Sequence, residues 1–498
     1  MQNIIVQAGG RGSRLEVMTN NKPKALVPVN NLPIIFYLFK LFPKANYKII
    51  ADYKADIFAK YLDIFAPGIS YEIIVPEHKG TASGVNKALA TIDDSFMIIW
   101  CDLILAEGFS LPEINDNYIG LTEEFVCRWH YTNGEYIQEH SKTNAIAGLF
   151  VFKDKSVLKG LPESGAFVPY LKKAQIKLKP FKLEGTKEIG TILSYQNNEN
   201  KKNKCRPFNE VIEYDNYIIK RAKTDQGKEI AKKEVNWYKF ISKYEYPYIA
   251  KIYEYDPLKI KKINGDNVFK YKNFTLSQKK EVLLQIIDAI KKLHSLEKPI
   301  SANKEDCIEN YFNKTFDRID QVQSLIPFAR QKEIGINGKK YKNVFFLKEE
   351  LKKKILSILP SEFCVIHGDV TFSNIMLETP DIRPVIIDPR GYFGQSEIFG
   401  DTHYDWAKLY YSIKGNYDQF NNKNFVLDIK ENEVELNIES NGWEGLEELF
   451  FENIPADRET IKVLHAIIWL SLTTYAWEDV DSICGAFYKG VIEVNEIL

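Results

Sequence analysis

The sequence predicts an α/β domain with a mostly parallel sheet, followed by a second, α+β domain of two lobes. Three observations predict this division. Short β-branched strands alternate with helices up to residue 196, residues 197–204 (NNENKKNK) lack any apolar side chain, and long helical stretches dominate beyond them. A chain of 498 residues also exceeds the ~250 to 300 at which single cores usually divide. We therefore predict domains over 1–196 and 205–498, joined by a linker over 197–204.

Four β-branched runs separated by helical segments predict the first domain. The strands are expected at Asn3–Gln7, Tyr47–Ala51, Tyr71–Val75 and Phe96–Trp100, and the helices include Leu32–Phe42 and Ser83–Ala90. Because strands that alternate with helices favour crossover connections, we expect a parallel sheet with helices on both faces. A further short strand is expected at the LVPV run, residues 26–29.

The second domain begins with strands and continues with helices. A strand pair is expected within Glu210–Ala222 and helices at Lys228–Ser242, Ser277–Leu296 and Lys348–Leu359. The segment Gly415–Asn441, rich in Asn, Asp and Glu, is expected to be a local elaboration. A small mixed lobe followed by a mostly helical lobe is therefore predicted.

Composition and charge exclude several classes of protein. With 45% hydrophobic and 27% charged residues, the chain is neither a disordered tail nor a fibrous repeat. Its 66 basic and 67 acidic side chains nearly cancel, so no net field would draw it onto nucleic acid or anionic lipid. Six dispersed cysteines without a C-x-x-C pair disfavour a disulfide framework or a cysteine zinc site. We expect small-molecule partners and no nucleic acid, and an oligomer is compatible with this composition.

The N-terminal residues and the hydropathy pattern give an expectation for the cellular compartment of the protein. The start, MQNIIVQAGG, has neither the basic region nor the small-residue cleavage site of a signal peptide, and it leads straight into a strand. No stretch approaches the ~18 uncharged apolar residues that a membrane span needs. We therefore expect a cytoplasmic protein.

A glycine-rich loop with two cations follows the first strand, in the order Gly9, Gly10, Arg11, Gly12, Ser13, Arg14. Such loops bind phosphate because bare N–H groups can approach the anion and Arg can fork onto its oxygens. The spacing fails the dinucleotide pattern G-x-G-x-x-G, and no G-K-[ST] occurs. A simple glycine turn is the alternative. Lys24, in the run PKALVPV, favours the phosphate site because it stands a short loop away.

Loop and lysine together resemble the nucleotidyltransferase family that activates sugar phosphates and phosphocholine, whose pattern is G-x-G-x-R-L followed by P-K-x-L-x-P-V. The resemblance covers about residues 1–196 and implies a Rossmann-like fold. It implies that Gly80, Thr81 and Ala82 form the nucleotide-base loop and that Asp102 binds Mg²⁺. Glu188, before I-G-T, is the implied second metal ligand, where the family usually has Asp.

The reaction of that family explains these residue types. A phosphate oxygen of the substrate attacks the α-phosphorus of a nucleoside triphosphate and pyrophosphate leaves, so negative charge must be neutralised on both groups. Lys24 and Arg14, with Mg²⁺, are the predicted catalytic groups. Gly9, Gly10, Gly12 and Arg11 are predicted to bind the nucleotide.

The run Val365–Met376 (VIHGDVTFSNIM) predicts a second site. Asp369 and Asn374 have the spacing of the catalytic Asp and the Mg²⁺-binding Asn of kinases. Further along, Asp388 ends the apolar run VIID and supplies a second metal ligand. His367 could be a metal ligand or an acid/base group, but the expected role is that of a buried residue that braces the backbone. The other histidines show no metal-ligand spacing, which argues against a catalytic zinc.

These marks, H-G-D-x-x-x-x-N and a following I-D, resemble the aminoglycoside phosphotransferase and choline kinase family of small-molecule kinases with a protein-kinase fold. The resemblance covers about residues 205–415 and implies that Asp369 receives or orients the proton of the substrate hydroxyl. It also implies that Lys220 holds the ATP phosphates, with Glu234 as its ion-pair partner and Glu229 as a competitor. In the run GDTHYDWAKL, residues 400–409, the two acids are expected to brace the catalytic loop or begin a helix.

The two resemblances together predict consecutive reactions. The second domain would phosphorylate a small hydroxyl compound, preferentially a sugar at its anomeric hydroxyl, and the first would convert the product to a nucleotide-activated precursor for surface polysaccharide. The substrates are ATP and a second nucleoside triphosphate, CTP among the candidates, with Mg²⁺ as cofactor. The alternative acceptor is choline or a similar amino alcohol with CTP. An alternative function of a different class is that of a non-catalytic nucleotide sensor. In that case Cys101, Glu188 and Pro389, which depart from the family patterns, would reflect the loss of catalytic activity.

Overall fold

The computed structural model describes residues 2–199 and 209–498, with only the backbone described at Asn209 and Gln226. The chain divides into two compact units, one of Met1–Lys204 with Glu478–Val480 and one of Cys205–Trp477 with Asp481–Leu498. None of the helices in the described ranges combines the length and the apolarity that a membrane crossing demands.

The first unit consists of strands joined by short helices. Its strands are β1 (Asn3–Gln7), β2 (Pro28–Val29), β3 (Leu32–Pro33), β4 (Asn46–Ile50), β5 (Ser70–Ile74), β6 (Phe96–Trp100), β7 (Leu103–Ile104), β8 (Tyr118–Thr122), β9 (His130–Thr132), β10 (Glu135–Ile137), β11 (Ala145–Phe152), β12 (Lys179–Lys182) and β13 (Lys187–Glu188). Its α-helices are α1 (Ile34–Leu41), α2 (Ala55–Phe65), α3 (Thr81–Leu89), α4 (Phe167–Lys173) and α5 (Ile192–Asn198). Single 3₁₀ segments cover Ser13–Thr19, Lys24–Leu26 and Lys155–Leu158.

The main sheet has the order β10-β9-β11-β6-β1-β4-β5, and β8 pairs with both β11 and β12. The pairs β1/β4, β1/β6 and β4/β5 are parallel, which confirms the parallel sheet expected from the four β-branched runs. Each of those runs lies within one residue of its predicted position. Strand β11 runs antiparallel to β6, so the later strands extend the parallel part into a mixed sheet.

Helices cover both faces of the parallel strands. Ile5 and Ile50 point to one face, where they share a buried cluster with Val85 of α3. Tyr47 points to the other face, where its ring lies 4.8 Å from that of Phe39 in α1. Since neighbouring residues of a strand alternate between faces, the apolar runs of β1 and β4 bury side chains on both sides at once.

The LVPV run forms less strand than predicted. Lys24–Leu26 is a 3₁₀ turn, and only Pro28–Val29 pairs, with Leu32–Pro33. The intervening Asn30 and Asn31 have φ of 49° and 60°. Two consecutive left-handed residues make a tight hairpin, and asparagine tolerates this conformation better than most residues. The turn therefore ends β2 after two residues.

Helix α5 crosses the predicted start of the linker. Its N-terminus is capped by the Thr191 side chain, which accepts from Ser194 N, and the helix continues to Asn198. Glu199 Oε2 then accepts a hydrogen bond of 2.8 Å from the backbone N–H of Asn30. The first three residues of the predicted linker are thus held by the first unit, and residues 200–204 lie outside the described ranges.

The second unit begins with strands and is mostly helical afterwards. Its strands are β14 (Asn209–Glu213), β15 (Tyr217–Ala222), β16 (Ile252–Tyr255), β17 (Leu258–Lys261), β18 (Gly265–Asn267), β19 (Ile300–Ser301), β20 (Glu333–Ile336), β21 (Lys339–Lys342), β22 (Glu362–Val365), β23 (Ile375–Glu378), β24 (Arg383–Ile386), β25 (Tyr392–Phe393), β26 (Ser396–Glu397), β27 (Phe399–Gly400), β28 (Phe425–Ile429) and β29 (Val434–Ile438). Its helices are α6 (Asp225–Ile241), α7 (Leu276–His294), α8 (Lys304–Ile308), α9 (Lys314–Val322), α10 (Lys348–Ser357), α11 (Thr402–Ile413), α12 (Tyr417–Asn421), α13 (Glu447–Asn453), α14 (Arg458–Ser471) and α15 (Val480–Ile497).

The first strands of this unit form an antiparallel sheet in the order β14-β15-β17-β16. The pairing of β14 with β15 confirms the predicted strand pair. Helix α6 begins three residues earlier than predicted because the Thr224 side chain accepts from Gly227 N and caps it. Helices α7 and α10 lie within two residues of their predicted bounds.

The segment predicted as a local elaboration makes a distant pairing. It contains α12 and the hairpin β28–β29, and β29 joins β20 in parallel through Ile336 and Val434. The elaboration thus also pairs with a strand that lies far from it in the sequence. Despite its polar composition, the segment buries the apolar side chains of Leu427, Val434 and Leu436.

Candidate active sites

The glycine loop and Asp102 follow neighbouring strands of the first unit. Gln7, the last residue of β1, is paired with Trp100, the last residue of β6, and Cys101 N donates to Gln7 O at 3.1 Å. The carboxyl ends of adjacent parallel strands meet at one edge of the sheet, where such folds bind their ligands. The structure therefore places the predicted phosphate loop beside the predicted metal ligand.

Lys24 contacts Asp102 directly. Its ammonium forms an ion pair with the Asp102 carboxylate, and the lysine is buried. Gly12 has φ of 70°, and a Cβ at this position would lie 3.1 Å from the Cβ of Lys24. A left-handed glycine thus lets the loop pass close to the lysine stem. A cation and an acid lie together at the strand ends, as a polyphosphate site requires.

Glu188 reaches the same edge from a different segment. It pairs with Leu103 through β13 and β7, and Ile189 N donates to Asp102 O at 2.8 Å. Burial, and next the charge of Asp102, raise the pKa of the Glu188 carboxyl. Arg14 lies at the periphery, with Nη2 4.0 Å from Glu188 Oε1 and a largely exposed side chain.

The residues of this edge fit a magnesium ion. Asp102 and Glu188 supply carboxylate oxygens at the same edge, where Ile189 N, next to Glu188, donates to Asp102 O. In the described part of the chain no group of three or more His, Cys, Asp and Glu side chains could hold a metal. Mg²⁺ is typically bound by one or two carboxylates together with substrate phosphates, so a pair is sufficient.

The predicted base loop is tied firmly into the fold. Gly80 has φ of 102°, and a Cβ there would lie 2.2 Å from Gly165 O, so only glycine fits. Thr81 Oγ1 accepts from Phe167 N at 2.8 Å, and Gln7 Nε2 donates to Thr81 O at 2.7 Å. The Ala82 side chain is fully buried in the core. The backbone at the start of α3, and not the Ala82 side chain, is what this segment can offer a nucleotide.

The remaining loop residues are open to solvent. Gly9 is half-buried and Gly10 is exposed. The Arg11 side chain is also exposed, with its guanidinium carbon 5.6 Å from the centre of the Tyr53 ring. Arg11 and Arg14 can therefore approach an incoming polyphosphate from the solvent side.

The second site lies where β23 and β24 meet in an antiparallel pair. Ile375 pairs with Ile386, and Ile387 N donates to Asn374 O at 2.9 Å. Asn374 stands just before one strand and Asp388 just after the other, so the pairing brings these two residues together. An amide oxygen and a carboxylate are hard donors that fit Mg²⁺.

Asp369 is held by two neighbours. Asn374 Nδ2 donates to Asp369 Oδ2 at 2.9 Å, and Lys408 Nζ lies 3.0 Å from Asp369 Oδ1. Burial alone would lower the pKa of Lys408, but the charge of Asp369 raises it, so the lysine is cationic. Sequence reasoning missed Lys408. Its position one helical turn after Asp405 on α11, facing the same side, was the available signal.

Lys220 lies between two acids. Its Nζ is 2.7 Å from Glu234 Oε1 and also contacts the carboxylate of Asp388. Burial opposes the charged form, but the carboxylates of Asp388 and Glu234 raise the pKa of Lys220 well above its usual range. Of the two glutamates considered from the sequence, Glu234 makes this ion pair.

Two buried groups fix the backbone before Asp369. Asp405 Oδ2 accepts from His367 N at 2.9 Å, and Asp405 Oδ1 accepts from Gly368 N at 2.7 Å. His367 donates from Nε2 to Ile387 O at 2.9 Å and accepts at Nδ1 from Asp369 N at 3.2 Å. Burial lowers the pKa of His367, so the neutral ring braces the loop. Asp401 instead caps α11 by accepting from His403 N.

Replacing Asp405 by Ala should destabilise the second unit by about 3 kcal/mol, because the N–H groups of His367 and Gly368 lose a buried charged acceptor. His294 Nε2, 3.0 Å from Asp405 Oδ2, loses its partner as well. Thermal unfolding of the full chain measures the change. The exposed Asp381, replaced by Ala, is the control and should leave the transition unchanged. Equal unfolding temperatures for the two variants would contradict the bracing role.

Comparison with known proteins agrees with the geometry of the first site. Residues 3–115 match the family described as nucleotidyl transferase. The match covers 113 of the 498 residues, all within the first unit. The parallel strands β1, β4, β5 and β6, with helices on both faces, agree with the Rossmann-like fold that the sequence resemblance implied.

Curated relatives match over part of their length. A mannose-1-phosphate guanylyltransferase of Mycobacterium tuberculosis is 30% identical over 120 residues, which are 23% of this chain and 33% of that protein. A D-glycero-alpha-D-manno-heptose 1-phosphate guanylyltransferase of Campylobacter jejuni is 26% identical over 24% of this chain and 56% of its own length. The chain thus spans between a third and just over half of these two relatives. Among solved structures, a CTP:phosphocholine cytidylyltransferase from Streptococcus pneumoniae is 17% identical, covering 40% of this chain and 97% of its own, with a TM-score of 0.33.

Proposed function

We propose that the protein is a bifunctional enzyme that phosphorylates a sugar with ATP and transfers a nucleotidyl group from a second nucleoside triphosphate to the resulting phosphate. The observation that carries this proposal is the presence of two separate clusters of acids and cations. One gathers Lys24, Asp102 and Glu188, and the other gathers Lys220, Asp388 and Asp369. The product would be a nucleotide-activated sugar, of the kind used to build surface polysaccharide.

In the first site, the residues bind a triphosphate and neutralise its charge. Lys24 and Arg14 would hold the α-phosphate and the leaving pyrophosphate, while the N–H groups of the glycine loop position the chain of phosphates. A phosphate oxygen of the sugar phosphate attacks the α-phosphorus, and the bond to the β-phosphate oxygen breaks. Asp102 and Glu188 would hold Mg²⁺, which would supply further neutralisation of charge on these oxygens.

The acceptor of the first site is proposed from the relatives. The names of two curated relatives specify sugar 1-phosphates, of mannose and of a heptose. A third, from Haloferax volcanii, is a glucose-1-phosphate uridylyltransferase, 30% identical over 107 residues and 43% of its own length. Three different sugars share the anomeric phosphate, so we infer an anomeric sugar phosphate as the substrate class.

In the second site, the residues match the parts that a phosphoryl transfer needs. Lys220, held by Glu234, would bind the ATP phosphates, while Asn374 and Asp388 hold Mg²⁺. Asp369 would accept the proton of the sugar hydroxyl, whose oxygen attacks the γ-phosphorus as the bond to the β-phosphate oxygen breaks. Lys408 positions the Asp369 carboxylate. The products are ADP and a sugar phosphate.

The test supplies the purified full chain with Mg²⁺, ATP, one further nucleoside triphosphate and one free sugar at a time. Release of pyrophosphate should require both triphosphates and should follow the release of ADP. A preformed sugar 1-phosphate should remove the requirement for ATP. Pyrophosphate release from a free sugar without ATP would overturn the proposed order, and no release of either product with any sugar would favour a nucleotide sensor.

A further inference from the structure

A cleft in the second unit lies beside the proposed catalytic loop. Cationic side chains that have no role in the proposed phosphoryl transfer line this cleft. It has a volume of about 330 Å³ and is lined by residues of α9, the π-helical turn before it, and the segment after Asp388. This size is in the range of small-molecule sites. Lys314 and Arg318 line the cleft, as do the aromatic ring of Tyr392 and the amide of Asn310.

Arg390 connects this cleft to Asp369. Its backbone N–H donates to His367 O at 2.9 Å, and a Cβ at Gly368 would lie 2.9 Å from the Arg390 Cβ. The guanidinium extends to Asn310 Oδ1 and to Tyr404 OH, both at 3.4 Å. Lys408 Nζ, which pairs with Asp369, lies 5.7 Å from the centre of the same Tyr404 ring. The Tyr404 side chain thus lies near both Arg390 and Lys408, the ion-pair partner of Asp369.

Within the described part of the chain, two cations that line the cleft, Lys314 and Arg318, and the adjacent Arg390 are not held by carboxylates. In residues 2–199 and 209–498, no carboxylate forms an ion pair with Lys314, Arg318 or Arg390. Two carboxylates that line the cleft, Glu309 and Asp317, belong to exposed residues. Structural cations that are half-buried are usually paired, because isolated charge is costly to bury. Three cations without a carboxylate partner, in and beside the cleft, therefore point to a binding site for an anion.

The titration of two neighbouring groups agrees with an excess of positive charge. Burial and then the charge of Arg390 lower the pKa of Lys314 to about 8. Burial would raise the pKa of Tyr475, but the charges of Arg318, Arg390 and Lys314 lower it to about 7. Arg318 lies over the Tyr475 ring at 4.1 Å and donates from Nη1 to Ser471 O at 2.8 Å, which fixes the guanidinium.

We propose that this cleft binds the phosphate acceptor of the second site, and that the acceptor carries an anionic group, a carboxylate or a phosphate, which Lys314, Arg318 and Arg390 recognise. The inference rests on the proposed kinase function and narrows its substrate class to acidic or phosphorylated sugars. The same cations disfavour choline and other cationic amino alcohols, because a positively charged ligand in the cleft would be repelled by them. Asn310 and Tyr392 are left to contact the neutral part of the acceptor.

The experiment is calorimetric binding to the full chain saturated with Mg²⁺ and a non-hydrolysable ATP analogue. The ligands are glucose, glucuronate, glucose 6-phosphate and choline. Both anions should bind at least about tenfold tighter than glucose, as expected for charge-assisted hydrogen bonds. A preference for glucuronate over the phosphate, or the reverse, identifies the anion that the cleft selects. Equal binding of anions and glucose, no binding of either anion, or tighter binding of choline would overturn the proposal.

Two variants test whether Arg318 and Lys314 bind the anion. Arg318→Gln and Lys314→Gln should each weaken binding of the anions about tenfold, with binding of the ATP analogue unchanged. Arg330→Gln, at an exposed position of the same unit, is the matched control and should bind like the unmodified chain. Undiminished anion binding by both cleft variants would place the anion elsewhere.

The pH dependence provides an independent readout. Glucuronate remains ionised between pH 6 and pH 9. Over this range Tyr475, with its pKa lowered to about 7, loses its proton and becomes a competing anion, and Lys314, with its pKa lowered to about 8, loses its charge. The other charged groups that face the cleft are Arg318, Arg390, Glu309 and Asp317. Affinity for glucuronate should therefore fall as the pH rises through 7 to 8. A flat profile would contradict the cleft as its site.

Failure of this inference is distinguishable from failure of the proposed function. ADP release is measured in parallel with MgATP and each ligand. Tight anion binding without ADP release with any ligand would refute the kinase while leaving the anion site. ADP release that is faster with glucose than with both anions would support the kinase and refute the anionic acceptor.

Discussion

Replacing Lys24 by Met is expected to lower the rate of nucleotidyl transfer about a thousandfold. Met preserves the length of the stem that packs beside Gly12 but supplies no charge for the triphosphate. The measurement is pyrophosphate release from a preformed sugar 1-phosphate and a nucleoside triphosphate. ADP release by the second unit, measured separately, should stay at its original rate, because Lys24 belongs to the first unit.

The control for this variant is Lys60→Met. Lys60 lies on α2 of the same unit, is partly exposed, and pairs with Asp56 at 3.4 Å. It should leave both activities unchanged. Thermal unfolding of both variants is recorded, since Lys24→Met also removes the partner of Asp102. A folded Lys24→Met protein that retains more than about a tenth of the transfer rate would contradict the catalytic role of Lys24.

Replacing Asp369 by Asn is expected to lower ATP-dependent phosphorylation by about 10³ to 10⁴-fold. Asn has the same shape but cannot accept the proton of the substrate hydroxyl, and it leaves Lys408 without its ion-pair partner. ADP release in the presence of an acceptor measures this loss. Transfer to a preformed sugar 1-phosphate should be unaffected, because the first site uses none of these residues.

The matched control is Asp381→Asn, an exposed aspartate of the same unit. It should leave phosphorylation unchanged. If Asp369→Asn reduced both reactions equally, a single shared site would replace the two proposed here. If it reduced neither, Asp369 would not be the residue that handles the proton.

Local patterns predicted much of the fold. The runs that form β1 and β6 were located to the residue because consecutive β-branched side chains favour a strand that is buried on both faces. Helix boundaries were less accurate. They depend on single capping side chains, such as Thr224 before α6, which an apolar period does not reveal.

Distant pairings could not be predicted. The sequence gives no sign that β29 pairs with β20, since one register contact between Ile336 and Val434 makes that junction. The residues of the proposed sites also differ in whether a local pattern reveals them. Lys24, Asp369 and Asp388 follow recognisable local patterns, whereas Lys408 acquires its contact with Asp369 only through the packing of α11.

The anchoring of the catalytic loop by Asp405 has a consequence for redesign. This carboxylate holds the loop from α11, whereas the proposed acceptor cleft is lined from α9 and from the segment after Asp388. If both proposals hold, recognition of the acceptor and transfer of phosphate would depend on different elements of the same unit. Substitutions at positions 310, 314 and 318 would then change which acceptor binds, while Asp405 keeps its contacts with the loop before Asp369.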